Sequence, residues 1–251
     1  GEDDLHAGRL QHARHASPND AMLGFIDWSP ELTVTPFMRY LVSPEGGQQF
    51  AFFNLGTAPA THHFFYTSNV SLKRALLSAQ TTLFDPDFTY PAYDDTELGY
   101  RLTRQGLTLH YVPQAVTYHH HDMTLASFAA RQRMAGRMGV VLGRKHPELA
   151  ADLGIPAATG LDAAAYEQFL TRATAAVAEL EKPDLATLAG LHFNDEDAVR
   201  FYQRTLLQPC WAKILKAAYL LGLHEGLRQG ATAPPVTAAP RPPAASDGFA
   251  Y

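Results

Sequence analysis

The sequence predicts an α/β fold followed by a helical appendage, and three observations carry that reading. Short apolar runs bounded by turn residues recur through the first half of the chain, with helical periods between them. Past the mid-point the helical periods continue alone. The 251 residues are 46% apolar and 18% charged, enough to bury a substantial core as one large domain or two small ones. No apolar stretch reaches the roughly 18 residues that cross a bilayer.

Taken in order, Leu10 to His15 suits a short helix, and Ala21 to Ile26 a buried strand. Pro30, Pro36, Pro44 and Gly46-Gly47 then read as a long surface excursion. Gln48 to Leu55 and Phe64 to Tyr66 follow as strands. Ser68 or Asn69 would cap a short helix through Leu72, Leu76 and Leu77. A second helix is expected from Asp94 to Gln105, closed by Gly106, with Glu97 and Arg101 a favourable pair one turn apart. Leu107 to Val112 alternates like a strand, is checked by Pro113, and continues extended to Tyr118 and the histidine run 119–121. Helices are then predicted from Thr124 to Lys145, from an Asp162 cap, and from Asn194 or Asp195 to Leu227. Pro209 should kink or break the last of these. Cys210 and Trp211 are expected in its core-facing side. Ala231 to Tyr251 has no apolar period and is expected as a flexible tail. The boundaries fall at 1–147, 148–230 and 231–251.

Charge and cysteine usage exclude some classes. The net charge is −5 and no Lys/Arg stripe forms, which argues against a nucleic-acid partner. A lone cysteine cannot make an internal disulfide, so a reducing compartment is expected. The location expected is cytoplasmic, with any association with the inner face of the membrane peripheral, through Leu220-Leu221-Gly222-Leu223. The opening Gly1-Glu2-Asp3-Asp4 reads as the edge of a longer protein.

Three polar clusters could carry chemistry. Asp94-Asp95-Thr96-Glu97 stands at a helix start, where acids also serve simply to cap and to complement the dipole. One of two adjacent carboxylates can project into a cleft as a general base. In His119-His120-His121, extended backbone puts His119 and His121 on one face. Neutral imidazole there could ligate a divalent ion. Glu2-Asp3-Asp4 offers carboxylates two apart that could share Mg²⁺ or Mn²⁺, or is a frayed terminus. Trp28, in a Pro-rich stretch, could stack on a ligand, although packing is its commoner use. Arg131 and Arg133 could reach a diphosphate.

Read together, the order of motifs resembles the C-terminal half of a family-2 glycosyltransferase with the GT-A fold. The residues that carry it are Ser68-Asn69-Val70-Ser71-Leu72-Lys73-Arg74, Phe84-Asp85, Asp94-Asp95-Thr96-Glu97-Leu98-Gly99-Tyr100-Arg101-Leu102, Gly106, and Pro113-Gln114-Ala115 to His119. The resemblance is strong over 64–121 and weaker to about 147. It implies a partial three-layer GT-A sandwich lacking its N-terminal nucleotide-binding half. It implies an inverting transfer of a sugar from a nucleotide-diphosphate sugar to a carbohydrate or other hydroxyl acceptor. Asp95 would fall on the catalytic base, with Asp94 where the family has Glu. Asn69, Ser68 (for the usual Gly), Arg101, Trp28 and Arg131 would contact substrate. Asp4, Glu2 and His119 would hold a divalent metal, Mn²⁺ or Mg²⁺, at the leaving diphosphate. Two other readings compete: a glycosyltransferase-like module that binds without transferring, and a metal-dependent hydrolase built on His119 and His121.

Overall fold

A computed structural model describes residues 2–48, 50, 55–56, 58–181 and 200–229, with the main chain alone for 2–5. Most of the expected strand 48–55, the expected start of the last helix at 194 or 195, and the expected tail 231–251 lie outside the described residues. The described residues form two compact units. One runs from the start to Leu32 and resumes up to His121; the other holds the segment from Thr33 and everything from Asp122 to Gln229. The helix over 125–145 thus groups with the helices that follow it.

The first unit is α/β. Its sheet has three strands, β1 (Asp20–Trp28), β2 (Val70–Leu72) and β3 (Thr108–His119), in the order β2-β1-β3. β1 pairs antiparallel with β2 and parallel with β3. Helix α1 (Glu2–Arg14) covers one face: Ala7 packs on Met22, Val112 and Ala115, while His15 reaches Ser71 on β2. α1 therefore crosses the sheet from the β3 side to the β2 side.

The β1–β3 register breaks once. Gly24 lies opposite Val112, but its neighbour Phe25 lies opposite Val116, so Pro113, Gln114 and Ala115 bulge out of the ladder. Pro113 has no N–H to give a partner strand, which is why the pairing fails there. A Cβ on Gly24 would sit 2.3 Å from the Ala115 carbonyl oxygen, so only glycine fits opposite the bulge.

The apolar triplet 64–66 is not a strand. It lies between two 3₁₀ turns, His62–Phe64 and Thr67–Asn69, and buries Phe65 against Gly99. Nor does Ser68 or Asn69 cap a helix: the chain makes the short strand β2 first, and helix α3 (Arg74–Ser78) starts after Lys73. Pairing with β1 outweighs the local capping preference. Helix α4 (Asp94–Arg104) ends at the left-handed Gly106 (φ 95°), as its sequence predicts.

The second unit is helical. The expected surface excursion contains helix α2 (Pro36–Val42), capped by Thr35, whose Oγ1 accepts from the Met38 N–H. Four of its residues, Phe37, Met38, Tyr40 and Leu41, are buried. Helix α5 (Leu125–Lys145) opens with a reciprocal Thr124–Ser127 cap. Helix α6 (Ile155–Ala158) is short, and α7 (Ala163–Leu180) is capped by Asp162. Residues Gln203–Leu207 form a π-helical turn that runs without a break into α8 (Gln208–Gln229), and Pro209 sits just after this turn, where the wider winding accommodates its missing N–H. Trp211 is buried among Phe37, Tyr40 and the neighbouring Phe128. Cys210 is only half-buried, because the core-facing side of α8 begins at Trp211. No helix among the described residues is long and apolar enough to cross a membrane.

Candidate functional site

The acid pair opens α4. Tyr93 occupies the position before the first helical residue, in the left-handed region (φ 66°), and makes no side-chain capping bond. Asp94 and Asp95 are half-buried. Asp95 Oδ1 accepts from the Thr96 N–H at 2.8 Å. Glu97, one turn in, is enclosed, its side chain 3% exposed and both its oxygens held by Arg101 Nε at 2.8 and 2.9 Å. Three acids thus share one helical turn, and the two at its start are the ones water can reach.

The histidine run sits at the carboxyl ends of the adjacent parallel strands β1 and β3, where α/β folds commonly gather ligand groups. His119 is in register with Trp28, their rings 5.8 Å apart and tilted. His121 packs on the other side of His119 at 5.9 Å. His120 points elsewhere, its Nδ1 3.3 Å from Ser29 Oγ and 3.4 Å from Glu31 Oε2. The alternation expected of extended backbone is present.

Several residues expected to touch substrate are occupied by the fold. Asn69 is 6% exposed; its Nδ2 donates to the carbonyls of Phe25 and Ala115, both at 2.9 Å, and its Oδ1 accepts from Gln11 Nε2 at 2.9 Å. Both amide hydrogens are spent bracing the bulge, so Asn69 has no donor to offer a ligand. Trp28 is the last residue of β1, not part of a loop, and is 6% exposed, which makes its ring a wall and not a stacking platform. Arg101 reaches Glu97, Gln80 and Leu83. Arg131 lies over the Phe128 ring, 5.5 Å from its centre. Arg133 is bound up with Glu225 and Glu167. Ser68 is exposed in its 3₁₀ turn.

Of the expected metal ligands, the side chains of Glu2 and Asp4 lie outside the described residues. Their main chain belongs to α1. Among the described residues no group of three or more His, Cys, Asp or Glu side chains is gathered to hold a cation. His119 and His121 adjoin each other, the pair on which the hydrolase reading rests.

Gln11 and Gly24 belong to this region and were not singled out by sequence. A lone glycine inside an apolar strand signals a bulge or a close backbone approach. Gln11, in a helix without clear amphipathic character, carries no such signal. Comparisons with family models, with curated proteins and with solved structures found no match.

Proposed function

We propose that the chain carries the acceptor-side part of an inverting glycosyltransferase of the GT-A type, with Asp95 as general base. The observation that carries this reading is the division among the three acids of α4: Glu97 is locked in an ion pair, while Asp94 and Asp95 stand half-exposed at the helix mouth. The motif order over 64–121 supplies the class. In the reaction, an acceptor hydroxyl oxygen bonds to the anomeric carbon of a nucleotide-diphosphate sugar from the face opposite the diphosphate. The bond from that carbon to the phosphate oxygen breaks, its electron pair leaves with the diphosphate, and the hydroxyl proton passes to the Asp95 carboxylate. Asp4, Glu2 and His119 are the residues that would hold a divalent metal, and no step is routed through one.

The test is Asp95→Asn in the full-length protein, with the nucleotide-binding half present, assayed with uridine, guanosine and thymidine diphosphate sugars and hydroxyl acceptors. Transfer should fall by about 10²-fold or more, while donor binding persists. Unchanged transfer would remove Asp95 from the mechanism. The binding-module reading is favoured by the commitment of Asn69 and Trp28 to the fold, and it predicts donor binding with no transfer in either protein.

A further inference from the structure

We infer that Arg101 is a positioning residue, latching the root of the 84–93 segment to α4 and so setting the backbone that carries Asp94 and Asp95. The inference rests on the reading of Asp95 as proton acceptor. All three guanidinium nitrogens are engaged. Nε donates to both Glu97 oxygens, Nη1 to Gln80 Oε1 at 2.8 Å, and Nη2 to the main-chain carbonyl of Leu83 at 2.7 Å. Gln80 is itself tied down, its Nε2 donating to Gln105 Oε1 at 2.7 Å and to the Leu76 carbonyl at 3.2 Å. One planar group therefore joins the middle of α4 to two stations upstream of it in the chain.

The chain leaves that anchor at Leu83 and returns at Tyr93 to begin α4, so both ends of the intervening segment stand on the same helix. Between them the turns close locally, from the Phe88 N–H to Asp85 O and from the Ala92 N–H to Tyr90 O. Leu83 and Phe84, at its start, expose large apolar surface, 39% and 43%. The return passes through Tyr93 in the left-handed region, which costs a non-glycine residue about 1 kcal/mol and persists only where both flanks hold it. α4 holds one flank. Arg101 holds the other, through Leu83. Released at its root, the segment lets Tyr93 relax, and the first turn of α4 follows. A lysine would keep the charge and lose the fork, because an ammonium cannot serve the carboxylate, the amide and the carbonyl from fixed directions.

The experiment compares wild type with Arg101→Lys and Gln80→Ala by amide hydrogen exchange and by ¹³C titration of the aspartate carboxyls. Arg101→Lys should raise exchange over 84–96 by about 10-fold, with β1, β3 and α8 unchanged. The Asp95 titration midpoint should move by at least about 0.3 pH units while that of Asp20 stays put, a change that mere loss of stability would not produce. Gln80→Ala, which removes one arm only, should give a smaller rise in the same segment. Unchanged exchange and midpoint in Arg101→Lys, or a rise spread evenly over the sheet, would overturn the latch. Neither readout depends on sugar transfer, so the latch can fail while Asp95 remains the base, and the reverse.

Discussion

The two units hold their backbones in different ways. In the sheet unit, irregular main chain is held by polar side chains that reach across sequence: Asn69 and Gln11 at the bulge and Arg101 at the root of the 84–93 segment. In the helical unit, helices meet by direct backbone approach. A Cβ on Gly222 would lie 1.9 Å from the Arg133 carbonyl oxygen, and one on Gly136 would lie 2.1 Å from that of Tyr219. The first arrangement concentrates specificity in a few hydrogen bonds; the second spreads it along an interface that tolerates no added atom. A substitution should therefore injure each unit through a different mechanism, and the two tryptophans, one buried in each, report on them separately.

Gly222→Val should have the largest effect, because the obstruction is main chain on a packed helix and cannot rotate away. We expect a loss of about 3 kcal/mol or more in the helical unit. With Trp28→Phe as background, Trp211 emission should shift to the red at lower denaturant. In the converse background, Trp211→Phe, emission from Trp28 should keep its midpoint. A common shift of both would mean that the units do not unfold independently.

Asn69→Leu preserves the volume and deletes the brace. The carbonyls of Phe25 and Ala115 and the Gln11 amide all lose a partner, for which about 2 kcal/mol is expected. The loss should be read by Trp28, at the end of the strand that the brace secures, and by faster amide exchange over 112–118. A variant as stable as wild type would show that the bulge holds itself.

Much of this was legible in sequence where signals are local. The helices from Asp94, Thr124 and Asp162 start where the capping and first-turn residues place them. At Pro209, where the sequence predicts a kink or break, the helix carries a π turn just upstream and continues on both sides of it. α2 was missed although Thr35-Pro36 is a good helix start, because the prolines and glycines around it read as loop. What stayed hidden is long-range. Val70–Leu72 is a strand only because β1 lies beside it, and the roles of Gln11, Asn69 and Arg101 depend on carbonyls 18 to 58 positions away in sequence or on side chains brought near by the fold. The motif identifies Asn69 and Arg101 as important without saying that they act on the protein itself.

The smallest effect expected is also the one with a pH signature. Glu225 on α8 accepts from Arg133 Nε at 2.9 Å and Arg137 Nε at 2.8 Å, and Arg133 also holds Glu167 at 2.6 Å, so two guanidiniums and two carboxylates balance within the helical unit. Burial alone would raise the Glu225 pKa, but the hydrogen bonds and charge of Arg133 and Arg137 outweigh it and hold the carboxyl below its usual value. The unfolded chain then binds the proton more readily than the folded one, so this contribution is full above the ordinary glutamate pKa of about 4.5 and is lost as pH falls through the lower folded value. Glu225→Gln should cost about 1 kcal/mol at pH 7, since the carboxylate is partly open to solvent. The gap between wild type and variant should close as the pH is lowered from 5 towards 3, read by denaturant midpoints of Trp211 emission. A gap that stays constant over that range would assign the loss to packing and not to charge.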